Sequence, residues 1–169
     1  LYGKEKLLDD MKPYQVGGGM IDSVEKDIID YTSGPEKFEA GTPNIAGAVG
    51  LSTAVDYLEE IGMDNISRHS KDLAEKMRYG LEDIERIDVL SPDNGNLVSF
   101  TSDLVHPHDI AEALKQDHVA VRAGHHCAQI QMRSLDVNGS VRASPYIYNT
   151  EEDVERLIES VKKTQKMFK

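Results

Sequence analysis

Residues 44–84 carry small and apolar side chains at helical spacing, and the pattern changes on both sides of them. Asn44 is placed to cap a first helix, and Gly62 follows its end. A second helix is predicted from Met63 to Ile84, with Ile66, Leu73, Met77 and Leu81 on one stripe and charges opposite. The small residues of the first helix imply close packing against another element. This pair of helices divides the chain into three stretches: 1–43, 44–84 and 85–169.

The stretches on either side differ in kind. Residues 1–12 read as a strand end and a helical turn. Residues 13–43 are rich in Gly and Pro, including Gly17-Gly18-Gly19, Gly34-Pro35 and Gly41-Thr42-Pro43, and show no sustained period. A segment so long without regular structure is read as functional loops. After residue 85 short strands are predicted at Asp88–Leu90 and Leu97–Thr101, split by the turn cluster Ser91-Pro92-Asp93-Asn94-Gly95. A helix at His108–Gln116 follows. Next come a strand at Val119–Arg122, a strand from Ser140 to Ser144 that continues toward Tyr148, and a final helix capped by Thr150. The order strand, strand, helix, strand, strand, helix gives an α+β sandwich, a small antiparallel or mixed sheet with helices on one face. The first 43 residues look like the trailing edge of a domain that is missing. Leu1 in place of Met leads us to expect a piece cut from something longer.

Composition removes several function classes. With 19 basic and 30 acidic residues the formal charge is −11. Nucleic-acid backbones demand a basic face, so nucleic acid is not expected as a partner, nor is an anionic membrane. The apolar residues form no run long enough to span a bilayer, and the N-terminus lacks a signal-peptide pattern. One cysteine forbids an intrachain disulfide and suits a reducing compartment, so the expected location is the cytoplasm.

That cysteine sits in the densest cluster of reactive side chains: Arg122-Ala123-Gly124-His125-His126-Cys127-Ala128, just past a predicted strand. A lone Cys is most often a small buried apolar residue. Here Arg122, His125 and His126 supply positive or proton-accepting groups, and Gly124 allows a turn that exposes the residues after it, surroundings that favour a reactive thiolate. Metal binding by His125, His126 and Cys127 is the rival. Adjacent side chains rarely converge on one ion, and no second ligand motif is present. Arg122 and Arg142 each lie on a predicted strand beside small residues. Each is read either as half of a salt bridge or as a bidentate grip on a carboxylate. Gly41-Thr42 before a helix start offers donors to an anion, or is simply a capping turn.

Three strings in this sequence match one family. They are KFEAGTPN at 37–44, VRAGHHCAQ at 121–129 and VRAS…YNTEEDV at 141–154. They resemble the group II cysteine desulfurases and selenocysteine lyases, the SufS-like branch of the class V aminotransferase family. LYGK at the start and the glycine run before Met20-Ile21 fit the same family, so the resemblance spans the whole chain. It implies fold type I of the pyridoxal-phosphate enzymes. Residues 1–43 become the trailing edge of the large cofactor domain, 44–84 the interdomain and packing helices, and 85–169 the C-terminal small domain. The Schiff-base lysine belongs to an S-x-H-K-like motif upstream. Lys4 is not that residue, and the isolated chain is expected to be inactive.

The resemblance further implies the chemistry. Cys127 is the nucleophile that takes sulfur from L-cysteine, releasing L-alanine and leaving a persulfide for iron–sulfur cluster assembly. Arg142 grips the substrate carboxylate, and Arg122 sits at the site mouth near the sulfur. Thr42 reaches the cofactor phosphate of the partner subunit in a homodimer, and His126 assists proton movement. The sulfur acceptor is of the SufU/SufE kind, and no metal is expected. Two alternatives stand beside this: a selenocysteine lyase, and a non-enzymatic sulfur-carrier module that presents Cys127 to a partner. The chain departs from the family at Pro145, which removes a backbone donor inside a strand, and at Ile130-Gln131-Met132 after the cysteine.

Overall fold

Helix α1 (Glu5–Asp10) opens the computed structural model, which describes residues 2–168. Lys4 is the extended residue that precedes this helix, so the predicted strand end is absent from the described residues 2–4. The chain divides into two units, Leu1–Tyr57 and Leu58–Lys169. In the first, strands β1 (Ile21–Val24) and β2 (Ile29–Tyr31) pair antiparallel, where only loop was expected. The reason is visible in their burial. Every residue of β1 is exposed, so no inward-outward alternation marks it in the sequence, and the ribbon is held by backbone pairing and by the Ser23 hydroxyl donating to Asp30 Oδ2 at 2.7 Å. A 3-10 turn over Gly34–Phe38 carries Lys37, a buried cation whose Nζ donates to the Asp9 carbonyl at 2.8 Å. Gly41 N–H donates to the Gly18 carbonyl at 2.8 Å and closes the loop that leads into α2 (Ile45–Ile61). Asn44 caps α2 as predicted, its Oδ1 accepting from Gly47 N–H at 2.9 Å. The small residues of α2 predicted close packing, yet none of its residues is buried.

The second unit grows from the stripe already visible in the sequence. Helix α3 (Met63–Glu82) buries Ile66, Leu73, Met77 and Leu81. Strands β3 (Ile87–Val89) and β4 (Val98–Ser102) follow, then helix α4 (Pro107–Gln116). Strand β5 is Arg122–Gly124, three residues later than the predicted start. Val119 is tied to the end of α4 through its N–H to the Leu114 carbonyl at 3.0 Å, which keeps it off the sheet. Helix α5 (Gln129–Ser134), unforeseen in the sequence, connects β5 to β6 (Ser140–Ala143). Strand β6 ends at Ala143, short of the expected Tyr148, because Pro145 has no N–H for a ladder. In the last helix, α6 (Glu151–Met167), Asp153 Oδ2 accepts from the Thr150 N–H at 3.0 Å.

The sheet order is β3-β4-β6-β5, antiparallel throughout. Helices α3 and α4 both pack on α6 and on the strands. Side chains alternate across a sheet, and the register pairs Val98 with Ala143 and Phe100 with Val141. These four are buried against Leu73, Leu114, Leu157 and Val161 of the helices. The residues between them fall on the opposite face: Ser99 lies beside Arg142, and Arg142 beside Arg122. The expected helix-backed α+β sandwich is therefore present in this unit, and its second face carries the charged residues.

Candidate functional site

Antiparallel pairing fixes the first part of the site. Arg122 on β5 stands directly opposite Arg142 on β6, so both guanidinium stems leave the same sheet face. Like charges opposite one another destabilise a strand pair. Neither arginine lies within ion-pair distance of a carboxylate among the described residues, so the internal salt bridge considered for each is absent there. Arg142 Nε is buried and has no hydrogen-bond partner. Such an arrangement leaves the pair of cations available to an anionic ligand.

The second part is the turn after β5. Gly124, at φ +116, ends β5 just before the turn, and a side chain there would be strained. Ala128 N–H then donates to the His125 carbonyl at 2.9 Å. Between them His126 and Cys127 have φ of +55 and +61. Two successive left-handed residues are the signature of a type I′ turn, a position that favours Asn and Gly. Holding His and Cys there costs on the order of 1 kcal/mol or more apiece. The turn lifts Cys127 into solvent as a free, exposed thiol. Arg122 donates an N–H to Cys127 Sγ at 3.6 Å. The surrounding hollow, about 660 Å³, is lined by Arg122, His125, His126, Cys127 and Gln129, and by His108 from α4. His108 carries no signal of this role in the sequence, because only the packing of α4 against β5 brings it here.

His126 folds back beneath the turn. Its Nε2 lies 3.0 Å from the Ser140 carbonyl oxygen. Burial is the main cause holding its pKa below the usual histidine value, helped by the charges of Arg142, Arg122 and His125, although the Ser140 hydrogen bond pulls the other way. The ring is therefore neutral near pH 7. A carbonyl can only accept, so the proton of the neutral ring sits on Nε2, and Nδ1 is a buried lone pair without a partner.

The metal alternative fits this geometry poorly. His126 Nε2 is committed to a backbone oxygen, and among the described residues no group of three His, Cys, Asp or Glu could hold an ion. No helix among the described residues is long and apolar enough to cross a membrane. Thr42 belongs to the other unit, where it is exposed on the loop just before α2.

The sequence and fold of this chain match known proteins. The chain belongs to the class-V aminotransferase family, whose sequence model matches residues 1–157. A probable cysteine desulfurase of Halalkalibacterium halodurans is 47% identical over 169 residues, which cover 99% of this chain and 42% of that protein. The cysteine desulfurase CsdA of Escherichia coli, solved in an S-sulfonic acid form, has a TM-score of 0.92 at 34% identity, with 99% of this chain and 42% of that one covered. A C-DES variant with glycine linked to its PLP cofactor shares the fold, with a TM-score of 0.72 at 20% identity, over 95% of this chain and 40% of its own. The chain thus spans about 42% of the length of the cysteine desulfurases it matches.

Proposed function

We propose that this chain is the C-terminal segment of a SufS-like cysteine desulfurase and that Cys127 is its sulfur-accepting nucleophile. The observation that carries the proposal is the exposed Cys127 on a doubly left-handed turn, with an Arg122 nitrogen 3.6 Å from its sulfur. A buried thiol could neither reach a bound amino acid nor pass sulfur outward. An exposed one on a turn at the end of an edge strand can do both.

Each residue then has a task. Arg142 binds the carboxylate of L-cysteine, and Arg122 stabilises negative charge on sulfur as the bond changes. Cys127, as thiolate, bonds to the substrate sulfur while the substrate C–S bond breaks. The electron pair stays with carbon and ends, with a proton, as a C–H bond of L-alanine, and Cys127 is left as a persulfide. The neutral ring of His126 can take part in proton movement only through Nδ1, since Nε2–H is engaged. In the longer enzyme pyridoxal phosphate supplies the electron sink for the substrate carbon. Thr42, exposed on the loop before α2, would offer its hydroxyl to the cofactor phosphate of a partner subunit in a homodimer. The anchoring lysine would come from the upstream part, leaving the isolated segment inactive. The sulfur would pass to a SufU/SufE-like acceptor for iron–sulfur cluster assembly in the cytoplasm.

The test uses an enzyme of the relatives' full length that carries this segment. Cys127→Ala is expected to abolish persulfide, read by mass spectrometry after incubation with L-cysteine, while the visible absorbance of the bound cofactor is unchanged. Persulfide at the wild-type level in that variant would remove Cys127 from the role.

A further inference from the structure

We propose that His126 is a positioning residue: its Nε2–H bond to the Ser140 carbonyl clamps the left-handed turn and so holds the Cys127 sulfur against Arg122. The proposal deepens the nucleophile reading of Cys127 and rests on it for its biological meaning, but its test needs no desulfurase turnover.

Four observations converge on the clamp. The φ values of His126 and Cys127 are both positive, a conformation that an unconstrained His-Cys pair would leave for the ordinary right-handed or extended basins. Something outside the turn must therefore hold it, and the Ala128 N–H to His125 carbonyl bond lies within the turn. The bond that ties a central side chain of the turn to the neighbouring strand is the 3.0 Å contact of His126 Nε2 with Ser140 on β6. The acceptor itself is well fixed: Ser140 is 1% exposed and paired in register with Gly124. Beside it, Gly139 has room for a hydrogen only: a Cβ there would stand 3.3 Å from the Gly124 carbonyl oxygen, so a larger residue would press on the backbone where the turn begins. The clamp thus joins the nucleophile's turn to a strand whose position is set by the sheet.

Neutrality of the ring suits this task. Burial together with Arg142, Arg122 and His125 keeps the second proton off, so His126 offers one N–H, aimed at the carbonyl. The two central residues divide the labour. His126 points inward and is tied down, and Cys127 points outward with its sulfur 3.6 Å from the Arg122 nitrogen. If the clamp opens, the turn relaxes and the sulfur leaves the guanidinium.

Cys127 is the one cysteine of the chain, so alkylation reports on it without background. The probe is the ratio of alkylation rates with iodoacetate and iodoacetamide, which differ in charge. A guanidinium at the sulfur raises that ratio above the ratio for free cysteine. His126→Gln and His126→Met have similar length, but only Gln keeps a side-chain N–H. We expect His126→Met to lower the ratio about fivefold, the size of one exposed charge contact, toward the value of Arg122→Ala, and His126→Gln to retain most of it. A ratio in the Met variant equal to wild type would overturn the proposal. So would equal loss in the Gln and Met variants, which would mean that the ring and not its N–H matters. A Met variant that no longer melts cooperatively, followed by circular dichroism, would assign His126 to folding and overturn it as well. Absence of persulfide from the wild-type longer enzyme, together with the expected fall of the ratio in the Met variant, would count against the function and leave the clamp standing.

Discussion

The two faces of the four-stranded sheet are made by the same strands and do opposite work. On the helix-covered face Val98, Phe100, Val141 and Ala143 are buried, and every one of them is apolar. On the other, Ser99, Arg142 and Arg122 stand in one row across β4, β6 and β5. Burial of the first set drives the fold. The second set puts two like charges side by side, which opposes it. Side-chain alternation along a strand lets both exist one residue apart, so a change on one face can be made almost without touching the other.

The largest expected effect lies on the covered face. Phe100→Ala removes a fully buried ring and is expected to destabilise the second unit by about 3–5 kcal/mol, measured by urea unfolding. If the loss were under about 1 kcal/mol, the helix-covered face would not be the source of stability. On the charged face the direction reverses. Arg142→Ala is expected to weaken L-cysteine binding to the longer enzyme by about 2–3 kcal/mol. Stability should be unchanged or should rise by a few tenths of a kcal/mol, because a like-charge pair is relieved. Binding that survives the change would remove the carboxylate role. A large fall in stability would break the contrast between the faces.

The smallest effect is a pH slope. In the unfolded chain an imidazole titrates near 6.5, and in the folded chain burial and the neighbouring cations hold His126 below that. As pH falls below about 6.5 the unfolded chain takes up a proton that the folded chain refuses, so stability declines in that window. His126→Gln should flatten this decline, seen by comparing urea midpoints at pH about 7 and about 5.5. An identical decline in both proteins would mean that some other group carries it.

How much of the fold and site was legible depended on the signal each element leaves in the sequence. The stripe Ile66, Leu73, Met77 and Leu81 predicted α3, because an amphipathic helix writes its burial into a fixed period. The turn around Cys127 was legible from Gly124 and its charged neighbours. The β1–β2 ribbon was not, since β1 lies wholly in solvent and β2, at three residues, is too short to set a period. Helix α5 was missed for the same kind of reason: one buried residue, Met132, in six makes no pattern. The start of β5 was misplaced because Val119 and Val121 look like strand residues while the first of them is bonded to the end of α4.

The sequence by itself determined the local facts: which residues can be helical, where the chain must turn, and that one thiol stands among Arg122, His125 and His126. Tertiary structure alone decided that Arg142 lies across from Arg122, that His108 enters the hollow, and that His126 turns from its neighbour Cys127 to a carbonyl fourteen positions on. Strand register and helix packing make those contacts between residues distant in the chain, and no short-range period encodes them.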